Sequence, residues 1–376
     1  MVRRVCLVSG GTGGHLLPAL VLARALQARG HEPMLVTEGR EVEREILRRE
    51  LPDVAEATLP AAAAGRLGLP LWLLRATHAA RRLLAENRVD CVVSTGGRPS
   101  LPVGLAARSL GKPLFLLEQN AVTGRVNRWL SPLAQRIYHG LPVLEPLRRR
   151  AMLTGTPLRP QFQNIDRRRC RDALGLPSDV PVVLVTGGSQ GARALNELVP
   201  AALCRLAGPV NVLHLAGLGR DEAVRRLYAD ASGRITAQVR PVALDMHRMF
   251  GAADLVVCRG GGTTVAELMA AGRPAIVVPY PYHRDRQQLR NAEVLARVGA
   301  ALVVEEPDLE VAGLAALIGE LLADPARLAA MGHAARALQV QDPADAILDD
   351  MGLDAESGPA AARAVPDEDG AGGGTT

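Results

Sequence analysis

The chain has 376 residues, length enough for two domains, and 48% of them are apolar, enough to fill two cores. Its net charge of +5 rests on arginine, with Lys112 the only lysine, and only 2% of residues are aromatic; no RNA-binding aromatic motif is present, so no nucleic-acid partner is expected. The five cysteines (Cys6, Cys91, Cys170, Cys204, Cys258) show no C-x-x-C spacing and no apolar run reaches about 18 residues, which argues against a zinc or dithiol motif and against a membrane-spanning helix.

Strands and helices alternate with short breaks, the pattern of an α/β fold with parallel sheets. Val5 to Ser9 reads as a buried strand that meets the start of the chain without a secretory leader. It runs into Gly10-Gly11-Thr12-Gly13-Gly14-His15 and a helix from Leu17 to Gln27. Met34 to Thr37, Val89 to Ser94 and Pro113 to Leu117 read as further strands, with helices over 41–49, 71–87, 101–110 and 124–134. Proline punctuation in Thr156-Pro157-Leu158-Arg159-Pro160 marks a linker. The second half restarts with strand Val182 to Thr186, which enters Gly187-Gly188-Ser189-Gln190-Gly191-Ala192 and a helix with Ser189 at its start. Strands follow at Val210 to Leu215, Ile235 to Val239, Asp254 to Cys258 and Ala275 to Val278. After Cys258 comes Gly260-Gly261-Gly262-Thr263-Thr264 and a helix starting near Val265. A helical region over 309–338 closes this half. The expected domains are therefore 1–159 and 160–340, with 341–352 a last helix that can pack back on the first domain and 354–376 a disordered tail.

Glycine lets backbone approach a ligand, and the N–H groups of a helix start attract anions. Two halves that each open on such a turn suggest two nucleotide-type folds facing one cleft, with a phosphate-bearing ligand. One segment stands apart. Leu67, Leu69, Leu71, Trp72, Leu73 and Leu74 adjoin Arg66, Arg75, Arg81 and Arg82. Apolar residues flanked by cations suit the surface of an anionic membrane. An amphipathic core helix with a solvated arginine face fits the same residues.

The glycine turns, together with Glu118-Gln119-Asn120, Gly155-Thr156-Pro157-Leu158-Arg159, Cys258 to Glu267, and Asp285-Arg286-Gln287-Gln288 followed by Asn291-Ala292, resemble the MurG family of glycosyltransferases over most of residues 3–340. The resemblance implies the GT-B fold: α/β, two Rossmann-like domains facing a cleft. The first domain would take the lipid acceptor and the second UDP-N-acetylglucosamine. The implied reaction is inverting transfer of N-acetylglucosamine to undecaprenyl-pyrophosphoryl-N-acetylmuramoyl-pentapeptide (lipid I), giving lipid II for peptidoglycan. It implies a peripheral enzyme on the cytoplasmic face of a bacterial membrane, working without cofactor or metal.

The resemblance also suggests roles. Thr12, Gly13 and Gly14 line the cleft as a cradle for the acceptor's diphosphate or the donor's sugar. His15 is the implied base for the acceptor hydroxyl; a helix-start histidine that only bonds the loop is the alternative. Asn120 would reach across to the donor. Arg159 and Ser189 would steady the leaving diphosphate. Gly262, Thr263 and Thr264 form the donor-side turn, and Glu267 would take the ribose hydroxyls. Glu267 could instead complete a capping box with Thr264. Gln287 and Gln288 would hold the donor sugar, and the Ala243 backbone would meet the uracil. Three positions depart from the family pattern, all in the acceptor half: Leu117 where histidine is usual, Arg98 for tyrosine and Val103 for glycine. They leave open a related GT-B transferase with another lipid or secondary-metabolite acceptor. A non-catalytic UDP-sugar-binding subunit is the remaining alternative.

Overall fold

Strands that are apolar without alternation must be covered on both faces, which parallel sheets with flanking helices provide. The computed structural model describes residues 1–10, 13–61, 68–144, 147, 150–229, 233–283 and 285–354. The expected disordered tail thus lies, but for Asp354, outside the described residues. In the first half, β1 (Arg4–Ser9), α1 (Gly13–Ala28), β2 (Glu32–Thr37), α2 (Glu41–Glu50), β3 (Ala55–Thr58), α3 (Gly68–Glu86), β4 (Cys91–Gly96), α4 (Ser100–Ser109), β5 (Leu114–Glu118), α5 (Arg125–Leu130), β6 (Arg136–His139) and β7 (Ala151–Leu153) follow one another. Their strands form one parallel sheet in the order β3-β2-β1-β4-β5-β6-β7.

The second half repeats the plan with α6 (Arg167–Ala173), β8 (Val182–Thr186), α7 (Arg193–Leu203), β9 (Val210–Leu215), α8 (Asp221–Ala229), β10 (Ile235–Arg240), α9 (Met246–Ala252), β11 (Leu255–Cys258), α10 (Gly262–Ala271), β12 (Ala275–Val277), α11 (Gln287–Ala296), β13 (Ala301–Val303), α12 (Val311–Leu322), α13 (Pro325–Ala337) and α14 (Pro343–Asp350). The sheet order is β10-β9-β8-β11-β12-β13, again parallel. Each order reverses beside its first strand, between β1 and β4 and between β8 and β11. Ligands of open α/β sheets bind beyond the strand C-termini at such reversals. The glycine turns after β1, β4, β8 and β11 all lie at these ends.

Several elements escaped the sequence pattern. β3, Ala-Glu-Ala-Thr, is a mostly exposed edge strand in which Thr58 alone is a usual β-former. The helix expected over 124–134 ends at Leu130, because Pro132 has no N–H to donate to the Arg128 carbonyl; the Ser131 hydroxyl donates to it instead at 3.0 Å. The residues beyond Gln135 are then free to form β6.

α14 belongs to the first core. Ile347, Leu348 and Leu353 are buried with Val5, Leu7, Leu16 and Leu20. Arg29 pairs with Asp345 at 2.5 Å and Asp349 at 2.6 Å, and the Tyr138 hydroxyl donates to Asp350 at 2.8 Å. The chain therefore passes between the halves twice, before α6 and before α14.

α3 carries apolar side chains on its core face and on its outer face. Ala76, Ala80 and Leu84 face the core, while Leu69, Leu71 and Leu74 stand 60%, 57% and 71% exposed. Trp72 is half-buried and its indole N–H donates to the Pro60 carbonyl at 2.8 Å, so it braces the helix start rather than projecting freely. Arg66 and Leu67 lie outside the described residues. A second apolar side chain on this half, Trp129 of α5, is 62% exposed. Among the described residues no helix is long and apolar enough to cross a membrane.

Candidate active site in the interdomain cleft

The imidazole of His15, in the first turn of α1, sits against the end of β4. Gly96 has a φ of +109°, and a Cβ there would come within 2.9 Å of the ring. Glycine supplies both the backbone conformation and the room. His15 Nδ1 lies 2.7 Å from the Thr95 carbonyl oxygen. A carbonyl only accepts, so Nδ1 carries a proton, and in the neutral ring the lone pair is on Nε2. Gln119 braces this arrangement: its Nε2 donates to the same carbonyl at 2.9 Å, and its Oε1 lies 3.2 Å from Nδ1. The Thr95 hydroxyl donates to the His15 carbonyl at 2.9 Å, which fixes the backbone as well. Nε2 has no hydrogen-bond partner among the described residues. A ring held in one tautomer with its basic nitrogen open is what general-base chemistry requires.

Two helix starts meet at this point. The Thr263 hydroxyl of α10 donates to the Gly14 carbonyl of α1 at 3.1 Å, across the two halves. A Cβ on Gly262 would come within 2.3 Å of the Gln119 carbonyl oxygen, so only glycine permits the approach. The first N–H groups of each helix lack intrahelical partners, and together they make a setting for an anion. The helix begins at Gly262, with Gly261 as its N-cap, rather than near Val265. Gly13 is the first residue of α1; Thr12 lies outside the described residues.

Asn120 is tied to the second domain by Asn291, a residue with no role assigned above. Asn291 of α11 is fully buried. Its Nδ2 donates to Asn120 Oδ1 at 3.0 Å and to the Gly260 carbonyl at 2.9 Å, and its Oδ1 accepts from the Ala121 N–H at 2.8 Å. The Asn120 amide is turned by Glu118, whose Oε1 accepts from its Nδ2 at 2.9 Å. In the sequence Asn291 stood only as part of the Asn291-Ala292 pair after Gln288, with no role attached.

The second-domain residues cluster at the starts of α10 and α11. Because Gly261 is the N-cap, Thr264 stands inside the first turn and Glu267 in the next, so they do not form a capping box. Glu267 is 6% exposed, and burial pushes its carboxyl up to about 8, with nearby Arg159 pulling the other way. No hydrogen bond reaches this carboxyl from the described residues, which leaves its acceptor oxygens available to hydroxyl donors. Gln288 Oε1 accepts from the Tyr280 N–H at 2.9 Å, leaving its amide NH₂ to donate. Gln287 and Gln288 are both half-buried in the first turn of α11.

Two expectations need correction. Ser189 does not start a helix: it lies in an exposed turn, and α7 begins at Arg193 with Ala192 as N-cap. The backbone needs that turn because Gly191, at φ +68°, passes so close to the Ala216 carbonyl that a Cβ would lie 2.0 Å from its oxygen. Arg159 is already engaged: Nη1 donates to the Leu244 carbonyl at 2.8 Å and Nη2 pairs with Glu50 at 2.5 Å. This turns the guanidinium toward the loop that carries Ala243, which is itself half-buried against the second core.

The three departures from pattern differ in kind. Leu117 and Val103 are fully buried in the first domain's core, so they fill volume rather than line the cleft. Arg98 alone is exposed. Of the other histidines, His214 is buried between Tyr228 and Asn196 and pushed down to about 3 by burial. Among the described residues no cluster of His, Cys, Asp and Glu could hold a metal ion.

The paired sheets, their facing switch points and the glycine-built cleft define a GT-B glycosyltransferase fold. Residues 5–139 match the glycosyltransferase family 28 N-terminal domain and residues 182–347 the glycosyltransferase family 28 C-terminal domain; the chain belongs to this family. A UDP-N-acetylglucosamine--N-acetylmuramyl-(pentapeptide) pyrophosphoryl-undecaprenol N-acetylglucosamine transferase of Halorhodospira halophila is 42% identical over 92% of this chain and 97% of its own length. The protein of the same name from Stutzerimonas stutzeri is 38% identical over 93% and 98%. Among solved structures, Acinetobacter baumannii MurG superposes with a TM-score of 0.78 at 32% identity, covering 93% of this chain and 99% of that one. CalG4, a calicheamicin glycosyltransferase, has a TM-score of 0.66 at 18% identity over 94% and 98%, a likeness of fold alone.

Proposed function

We propose that this chain transfers N-acetylglucosamine from UDP-N-acetylglucosamine to the muramoyl 4-hydroxyl of lipid I, with inversion at the anomeric carbon. The observation that carries the mechanism is His15, its Nδ1–H fixed on Thr95 and its Nε2 open at the meeting point of α1 and α10. The acceptor oxygen forms the new bond to the anomeric carbon while the bond to the UDP oxygen breaks. The acceptor proton passes to His15 Nε2, and UDP leaves as an anion steadied by the helix-start N–H groups. Glu267 takes the ribose hydroxyls, Gln287 and Gln288 the donor sugar, and the Ala243 backbone the base. Relatives named for this reaction over nearly the whole chain support the reading.

The donor half is tested by thermal protection. A ligand that binds only the folded state at a hundred times its Kd adds about 2.7 kcal/mol of stability. UDP and UDP-N-acetylglucosamine should raise Tm, and ADP and GDP should not. Equal protection by adenine nucleotides would remove the uridine assignment.

Lipid I is anchored in a bilayer, so the acceptor domain must work at a membrane surface. Leu69, Leu71 and Leu74 on α3 are the proposed contact, with Arg75 and Arg82 beside them on exposed positions. Each basic residue near an anionic surface adds about 1 kcal/mol. The protein should sediment with anionic vesicles at low salt and release at high salt. Leu71→Ser with Leu74→Ser should weaken sedimentation and turnover of bilayer-embedded acceptor, while a water-soluble acceptor analogue is still turned over at the normal rate. Unchanged sedimentation would make α3 an ordinary core helix. Trp72→Ser is the poorer probe, since Trp72 also holds the Pro60 carbonyl.

A further inference from the structure

Arg159 is joined to the first domain by a residue outside every motif above. Glu50 is the last residue of α2, and its side chain is only 16% exposed. Its Oε1 accepts from Arg159 Nη2 at 2.5 Å, and its Oε2 lies 3.5 Å from Arg24 Nη2 of α1. Arg24 Nη2 also donates to the Glu50 backbone carbonyl at 3.1 Å, which fixes the end of the helix. On its other side, Arg159 Nη1 donates to the Leu244 carbonyl at 2.8 Å, and its side chain is 15% exposed. The guanidinium is thus a rivet between α2 of the first domain and the loop after β10 of the second.

We infer that Glu50 is a positioning residue for the donor site, holding the Arg159 guanidinium against the 243–244 loop so that the nucleoside end of the pocket is completed by the first domain. The inference rests on the donor-site reading above. Its physical basis is geometric. A planar guanidinium bound on two edges loses its freedom to rotate, and charge-assisted bonds of this kind carry both strength and direction. Without Glu50, the guanidinium keeps only its bond to the Leu244 carbonyl and is free to rotate away from the 243–244 loop.

The test is a double-mutant cycle read as UDP affinity by calorimetry on the full chain, with Glu50→Gln, Arg159→Ala and the pair. Residues in contact couple, and removing one partner's action through the other is non-additive. Glu50→Gln should weaken UDP about five- to tenfold, raise the donor KM to match and leave the acceptor KM and kcat at the parental values. In the Arg159→Ala background the same change should have no effect on UDP, because Glu50 then has nothing to position. Glu50→Asp should recover part of the loss, which general damage to α2 would not. Additive effects, or a Glu50→Gln protein that binds UDP like the parent, would overturn the inference. If the parent protein fails to bind UDP, the donor-site reading fails; if the parent binds UDP and Arg159→Ala binds it equally well, that reading stands and the inference alone is overturned.

Discussion

His15→Ala should lower kcat by about 10²- to 10⁴-fold while UDP affinity stays within about twofold of the parent, the range found when a general base is removed. The reason lies in the tautomer. Thr95 and Gln119 hold the Nδ1–H, so Nε2 is the ring atom available to take the acceptor proton. Steady-state kinetics with UDP binding measured separately will tell the roles apart. A loss confined to donor affinity would reassign His15 to the anion cradle formed by the two helix starts. Normal kcat would remove it from the reaction altogether. Gln119→Ala, which frees the ring without deleting it, should give a smaller fall in kcat than His15→Ala.

Glu267→Ala should raise the donor KM about ten- to a hundredfold, since hydrogen bonds to a charged group contribute about 1.5–3 kcal/mol. The pH dependence is more diagnostic. Burial raises this carboxyl on folding from 4.5 to about 8, so across that window the unfolded chain binds fewer protons than the folded one. The unliganded protein therefore keeps the full benefit of a protonated Glu267 below pH 4.5 and loses it as pH rises through about 8. Ribose hydroxyls that donate to the carboxylate favour the ionised form. Affinity for UDP-N-acetylglucosamine, whose phosphates are both esterified and do not titrate there, should accordingly improve roughly tenfold per pH unit up to about 8 and then level off. Glu267→Gln should flatten that profile. A flat profile in the parent protein would mean that Glu267 binds the ribose as a neutral acid or does not bind it.

The parts of this molecule that were legible in advance are those where local chemistry and the global fold agree. Val182 to Thr186 is apolar up to its last residue and Val210 to Leu215 is apolar but for Asn211 and His214, and both were placed to the residue. The glycine turns announced the cleft because no other residue permits the approaches at Gly96, Gly191 and Gly262. β3 and β7 carry no such pattern; they are short, exposed or half-exposed strands whose pairing is decided by their neighbours. Residues 341–352 suggested a returning helix, but the apolar seam of Ile347, Leu348 and Leu353 against α1 is a property of the assembled core.

The site divides in the same way. His15 and Glu267 were visible as residue types at fixed distances from glycine turns, and Gln288 through the Asp285-Arg286-Gln287-Gln288 motif. The partners Thr95 of His15, Asn291 of Asn120 and Glu50 of Arg159 were not, since these contacts join residues 80 to 171 positions apart. Ser189 was misplaced because a glycine-rich turn of this length extends past the point where phosphate-binding helices usually begin. Leu117 and Val103 looked like changes in the acceptor site and are changes in core packing. That leaves Arg98 as the exposed departure on the acceptor side, and the acceptor's identity as the point on which the account depends most.

The most direct measurement is transfer of labelled N-acetylglucosamine from UDP-N-acetylglucosamine to lipid I in vesicles, with diacylglycerol vesicles in parallel and the anomeric configuration of the product determined by NMR. The account predicts one UDP released per label incorporated, label in the lipid I fraction alone, and a β linkage from the α-linked donor. Label in diacylglycerol, a retained α linkage, or UDP release with no lipid-bound label would contradict it.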